Sequence, residues 1–390
     1  MKKEQLEKVY AYLESQKDEM VALLKEVVNI ESSSRAPGSV IDVAKKLKEL
    51  FEAEGLKCEI VDVGSHEPSL IGILGENRMA KPVVFSGHMD TALQPELYEP
   101  NAFKIEDGKA YGPGVLDMKG GIIISLFVIK ALNHIGYDER PLKIAFSGDE
   151  EIAHIGGRGA ELLKEAAAGG VCAFNLETGL IDNSICYGRK GRIEAHISIH
   201  GIEVHAGNDF SNGRNAIAEM AHKILEIEAL TDLDKGTTVV CGVIQGGTIS
   251  NAIPKFCKLE VECRFDTISE MERFQKNLEQ VCSKTYIEGT TTEVEYTSSF
   301  SPYETTDVVM NFWEFVKKTA LEAGLEEVKG KRLGGSSDAG YILMGGTPVL
   351  CSFGIQGEWN HTTREYALID SMCSRGKLIS AVVLNLEKFG

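Results

Sequence analysis

The sequence has no Cys-x-x-Cys pair, although it holds nine cysteines. An odd set of thiols at irregular spacing excludes a disulfide framework and a structural zinc knuckle, and leaves small buried hydrophobes as their expected role. Long apolar runs are also missing. The longest, Ile122 to Ile129, is far short of a bilayer span, and residues 1–20 contain no stretch of signal-peptide length, so a cytoplasmic protein without membrane contact is expected. Basic residues are scarce, with 41 Lys and Arg against 58 Asp and Glu and a formal charge of -17. Nucleic acid is excluded as a partner, because neutralising phosphates needs the opposite balance. No internal repeat or low-complexity tract occurs.

What remains is a chain of 390 residues, 43% hydrophobic and 25% charged, which suits an ordinary globular protein too long for one core. Residues 40–54 place Val40, Val43, Leu47, Leu50 and Phe51 at helical spacing, and Gly55 stops the helix. Strand patterns at 58–63, 70–74, 82–85, 142–147 and 171–176 alternate with helical patterns at 119–134 and 159–168. This rhythm predicts an α/β fold, a three-layer domain with a mainly parallel central sheet, whose function sits at the carboxyl ends of the strands. After Gly191 the order becomes βαββαβ, with strands at 192–200, 237–245, 256–266 and 292–299 and helices at 213–229 and 268–285. That is a ferredoxin-like arrangement. From about Thr305 the first rhythm resumes, with a helix to Ala323, a strand at 348–353 and a closing helix from Asp370. The small domain is therefore read as an insertion at 192–303, splitting a larger domain into 1–191 and 304–390.

Four strand-to-loop junctions of the larger domain carry acids or histidines. PVVFSGHMDT sets His88 and Asp90 just past a strand, a spacing that suits a metal-binding imidazole held by a carboxylate. YGPGVLDMKGGI places Asp117 between a glycine-rich turn and a helix. A dinucleotide loop is disfavoured there, since an acid occupies the position where close packing wants glycine and would repel a pyrophosphate. FSGDEEI crowds Asp149, Glu150 and Glu151 after a strand, and AFNLETG does the same with Glu177. One such acid reads as a helix cap or solvated loop. Five acids in one crevice would repel one another by about 4 kcal/mol per pair at 4 Å and an effective dielectric near 20, a cost that two divalent cations remove directly. Zinc accepts this mixture of imidazole and carboxylate, and ligand type leaves cobalt and manganese open. EWNHTTREY offers His361 as a second imidazole.

The ordered blocks SGHMDT, GPGVLDMKGG, GDEE, LETG, EVHAG, ISNAIP, RFD, GGSSDAG and NHTTREY resemble the M20 zinc metallopeptidases over essentially the whole chain, nearest to their glutamate carboxypeptidase branch. The resemblance implies that Asp117 bridges two zinc ions, with His88 and Glu177 on one and Glu151 and His361 on the other. It implies further that Asp90 orients His88, that Asp149 is a supporting acid, that Glu150 carries the proton, and that the Asp117–Met118 peptide is cis. The inserted domain is expected to act as a lid and to form a homodimer, with His205 reaching the partner's site to stabilise an oxyanion. Arg264, which pattern alone places on a solvated sheet face, matches the arginine that holds the substrate carboxylate. Asn251 matches a residue near the bound carbonyl or carboxylate, and Gly334, Gly335 and Ser336 fall in a loop whose amides can receive an anion. Arg189 and Lys190 receive no role.

The expected activity is hydrolysis of the amide bond to an amino acid bearing a free α-carboxylate, on a small peptide or N-acyl amino acid. An N-acyl amino acid deacylase or dipeptidase uses the same chemistry. A binding protein that has lost catalysis predicts damage among the core acids, and none is missing.

Overall fold

Apolar side chains on both faces of a strand demand cover on both faces, and Val83–His88 is buried at all six positions. The computed structural model describes residues 2–36, 38–99 and 101–389 and resolves them into two units. One comprises Met1–Gly188, Thr305–Leu333 and Ser337–Gly390, and the other Arg189–Glu304 with Gly334–Ser336.

In the first unit a six-stranded sheet runs Lys57–Val61, Ser69–Leu74, Leu142–Ser147, Val83–His88, Cys172–Asn175 and Val349–Leu350. The last four are mutually parallel, and the first two join antiparallel. Helix Lys119–His134, almost wholly apolar, packs against Val83–His88, and Gly159–Ala167 packs on Leu142–Ser147. The expected strand 348–353 is shortened to Val349–Leu350, and Ser352 then turns left-handed at φ +70°. Helices Lys3–Ser15 and Lys17–Val28 had not been read from the sequence. Nor had a small sheet of Lys104–Glu106, Lys109–Tyr111, Gly357–Glu358 and Tyr366–Leu368. No helix among the described residues is long and apolar enough to cross a membrane.

The second unit follows βαββαβ order: Gly191–His200, helix Ala216–Glu228, Thr238–Gly246, Phe256–Phe265, helix Ile268–Ser283 and Thr291–Phe300. Its strands are all antiparallel, with Thr238–Gly246 at one edge. Leu259, Val261, Cys263 and Phe265 point into its core beside Ile193, Ala195, Ile197 and Ile199. Lys223 is wholly buried, 3.1 Å from Glu219, and donates to the carbonyls of Val281 and Cys282 at 3.2 and 3.1 Å. It thus caps the end of Ile268–Ser283, where exposed carbonyls favour a cation.

The division falls at 188/189 and 304/305, where the sequence had suggested 191/192 and 303/304. Gly334–Ser336, read as part of the larger domain, pack with the second unit. Arg189 donates to the carbonyls of Gly335 and Ser336 at 3.3 and 3.4 Å, and Ser336 Oγ donates to Lys190 O at 3.0 Å. All nine cysteines are free thiols, and only Cys58 and Cys241 are partly exposed.

Candidate metal centre

Parallel strands end at a common edge, so the residues just past Val83–His88, Leu142–Ser147 and Cys172–Asn175 converge. His88 closes the first of these strands. Its Nδ1 lies 3.0 Å from the backbone oxygen of Asp90. A carbonyl only accepts, so Nδ1 carries a proton, and Nε2 is the ring nitrogen that a metal ion would take. Nε2 faces Asp117 Oδ1 at 3.1 Å and Glu177 Oε1 at 3.6 Å. The carboxylate of Asp90 stands 3.4 Å from Nδ1 and accepts the backbone N–H groups of Glu150 and Glu151 at 3.3 and 2.9 Å. Asp90 therefore aims the imidazole through its carbonyl and fixes the two glutamates through its side chain.

The other oxygen of Asp117 serves a second group. Nε2 of His361 is 3.2 Å from Asp117 Oδ2 and 3.3 Å from Glu151 Oε2. Asn360 Nδ2 donates to the same Oδ2 at 2.9 Å. In the triads His88, Asp117, Glu177 and Asp117, Glu151, His361 the candidate ligand atoms all lie within 4.8 Å of one another. Glu151 Oε1 is buried without a hydrogen-bond partner among the described residues. Such an orphaned carboxylate oxygen, within a set of two imidazoles and three acids, fits divalent cations. A narrow pocket opens beside this cluster, lined by Tyr98, Pro113, Asp117, Glu151, His361 and Glu365.

Hydrogen bonds to Asp117 and then Glu151 push His361 up to about 11. Burial acts most strongly on Asp117, in the raising direction, but His361 and His88 outweigh it and hold the carboxyl below its usual range. Glu150, buried among the charges of His88, Glu177, Asp338 and Glu151, is driven well above the carboxylate range, chiefly by burial.

The loop bearing Asp117 is shaped from beneath. Gly114 adopts φ +71°, a conformation that glycine takes without penalty, and the Asp117–Met118 peptide is cis. Glu365 accepts the N–H groups of Leu116 and Asp117 at 2.7 and 2.9 Å through one oxygen and that of Gly114 at 3.3 Å through the other. Burial pushes its carboxyl up to about 8. Below Glu150, Asp149 Oδ1 lies 2.6 Å from His154 Nδ1, and His154 Nε2 lies 2.8 Å from Asp338 Oδ1. Ser147 Oγ donates to Asp338 Oδ2 at 2.8 Å. Glu365, Asn360, His154 and Asp338 were missed as site residues by sequence reasoning. The signal for Glu365 and Asn360 lay in NHTTREY, which had been read for its histidine alone.

The remaining residues singled out from the sequence belong to the second unit. His205 is exposed, its Nδ1 accepts the N–H groups of Gly207 and Asn208 at 3.2 Å each, and its backbone pairs with Ala252. Asn251 is its neighbour, accepting the N–H of Ala206 at 2.9 Å. Arg264 stands across from Arg192 in the sheet register and donates to Glu262 at 2.7 Å.

Residues 187–290 match the peptidase dimerisation domain characteristic of M20 proteins. The chain thus carries a dimerisation domain of the M20 type. Over the full fold it is similar to carboxypeptidase G2 of Pseudomonas sp. (strain RS-16), 26% identical and covering 94% of this chain and 89% of that one. It is 25% identical to a succinyl-diaminopimelate desuccinylase of Rickettsia bellii (strain RML369-C), covering 90% and 92%. Its fold matches that of aminopeptidase PepT from Bacillus cereus, with a TM-score of 0.78 at 21% identity over 94% and 98% of the two chains. These likenesses support hydrolase activity, and the two triads are groups that could hold metal ions.

Proposed function

We propose that the protein hydrolyses the amide bond to an amino acid bearing a free α-carboxylate, in the manner of a glutamate carboxypeptidase, with two zinc ions at the paired triads. The observation that carries this reading is the sharing of Asp117, whose two oxygens face His88 at 3.1 Å and His361 at 3.2 Å. One carboxylate common to two ligand sets is the arrangement that a two-metal hydrolase needs. His88 and Glu177 would hold one ion, Glu151 and His361 the other, with Asp117 between them. Bound there, divalent ions supply Lewis-acid polarisation of a carbonyl and lower the pKa of water.

Glu150 is the acid left over from coordination. Its carboxylate accepts a proton from the attacking water and delivers it to the leaving nitrogen as the tetrahedral intermediate collapses. Arg264, Asn251 and the Gly334–Ser336 loop are assigned to the substrate carboxylate and carbonyl, a task suited to guanidinium and backbone N–H donors. Two relatives support the substrate class by their names, one a carboxypeptidase and one a desuccinylase. The desuccinylase keeps N-acyl amino acid deacylation as the second reading.

A homodimer through the inserted unit completes the proposal. Its edge strand Thr238–Gly246 exposes Val240, Val243 and Ile244, and helix Ala216–Glu228 exposes Ile217 and Leu225. An open edge with exposed apolar side chains invites a second copy. His205 would then act on the partner's substrate as an oxyanion donor.

The test is a hydrolysis screen of the protein reconstituted with zinc, cobalt or manganese, using C-terminal glutamate peptides, dipeptides and N-acyl amino acids. Two metals per chain and release of the carboxyl-terminal amino acid are expected. A Glu150→Gln protein should keep both metals and lose nearly all turnover. Cleavage of none of these amides by the metal-loaded protein, or full activity in Glu150→Gln, overturns it.

A further inference from the structure

A second cleft adjoins the candidate centre within the first unit, with an empty volume of about 870 Å³ open to solvent. Tyr98 lines both it and the smaller pocket that contains Asp117, Glu151 and His361. Its charged lining is entirely cationic, formed by Lys104, Lys109 and Arg364. Lys104 stands 3.4 Å from Glu106, but neither Lys109 nor Arg364 has a carboxylate within ion-pair distance among the described residues. Instead Lys109 Nζ lies 4.2 Å from the centre of the Tyr366 ring, and the Arg364 guanidinium 4.2 Å from that of Trp359.

Cations seated on aromatic faces are positioned while their N–H donors stay available. In an acidic protein of net charge -17, two such cations in the lining of one cleft are conspicuous. The loop geometry ties Arg364 to the centre, because Trp359, His361 and Arg364 lie in a single loop in which Trp359 and His361 take left-handed φ values of +69° and +59°. Non-glycine residues hold such values only where the surroundings fix them.

We infer that this cleft receives the acyl half of the substrate and selects acyl groups that end in a carboxylate. The inference rests on the hydrolase reading above. That reading gives the leaving amino acid's α-carboxylate to Arg264 of the second unit, and so leaves the cationic cleft of the first unit to the other half. A guanidinium and an ammonium on aromatic platforms recognise a carboxylate by charge-assisted hydrogen bonds, while Tyr98, Trp359 and Tyr366 cover its methylene stem.

The experiment compares N-glutaryl and N-pentanoyl amides of the same amino acid, which have the same chain length and differ in the terminal carboxylate. The metal-loaded wild-type protein should show kcat/KM higher by about tenfold for the glutaryl compound, falling as salt is raised. In Arg364→Ala, Lys109→Ala and their double variant, the glutaryl-to-pentanoyl ratio should fall towards one, through KM. Calorimetric binding of both compounds to the metal-loaded Glu150→Gln protein gives the same comparison without turnover. Hydrolysis with no glutaryl preference, or variants that leave the ratio intact, overturns the inference while leaving the hydrolase reading standing. A glutaryl preference in binding, lost in Arg364→Ala, with no amide cleaved by the wild-type protein, overturns the hydrolase reading and leaves the cleft assigned to a carboxylate ligand.

Discussion

Glu365 holds Asp117 by its backbone, accepting that residue's N–H at 2.9 Å while Asp117's side chain faces both histidines. The carboxylate that would be shared between two metals is thus fixed by a second carboxylate that is a member of neither triad. Because one Glu365 oxygen takes two of the three N–H groups, a glutamine can keep those two and an alanine can keep none. Glu365→Ala is expected to weaken metal affinity by about 10- to 100-fold, as loss of an outer-shell partner does, and Glu365→Gln to restore most of it. Competitive titration against a chelator measures this. Equal losses in both variants would contradict a positioning role through the backbone.

Much of this arrangement was legible in the sequence because it is written in local signals. Strands such as Val83–His88 and helices such as Lys119–His134 are marked by apolar pattern and by the glycines that break it, and the ligand candidates sit next to them. Asp338 was not legible, since its partners lie far along the chain and nothing local distinguishes a buried acid from a surface one, and Glu365 stood in NHTTREY with its backbone partners equally remote. His154 was not singled out in the sequence, and it is buried between two carboxylates, one of them far along the chain. The Gly334–Ser336 loop was misassigned to the larger domain because its partner Arg189 lies nearly 150 residues away in the chain, with no pattern to join them.

Metal uptake should release protons. In the metal-free protein, hydrogen bonds to Asp117 and Glu151 keep His361 protonated, with its pKa pushed up to about 11, and a metal ion needs the neutral imidazole. Affinity is therefore expected to rise with pH across the neutral range. Calorimetric titration in buffers of different ionisation enthalpy counts the protons released. A binding constant unchanged between pH 6 and pH 9 would show that His361 is not a ligand.

His154 gives a stability signature of opposite slope. Burial alone would lower its pKa, but the carboxylates of Asp338 and Asp149 outweigh burial and hold it well above the usual imidazole value. A group whose folded pKa is raised stabilises fully below its unfolded value, near 6.5 for histidine, and loses that contribution as pH rises through the folded value. His154→Asn should accordingly destabilise the metal-free protein most at pH 6, with the gap to wild type narrowing in alkaline solution. Denaturant unfolding at a series of pH values reads this, and a gap that widens with pH would refute the charged state assigned to His154.

If His205 acts across a dimer, its loss and the loss of Glu150 fall on different chains of the same site. His205→Ala and Glu150→Gln should each be nearly inactive alone. In a mixed dimer one site combines the intact Glu150 of one chain with the intact His205 of the other, and the second site lacks both. Random exchange of equal amounts gives half mixed dimers with one working site each, so activity should recover to about a quarter of wild type. A histidine acting within its own chain leaves every site in the mixture defective, and no recovery would follow. Unfolding and refolding the two variants together, then assaying against each refolded alone, separates the two arrangements.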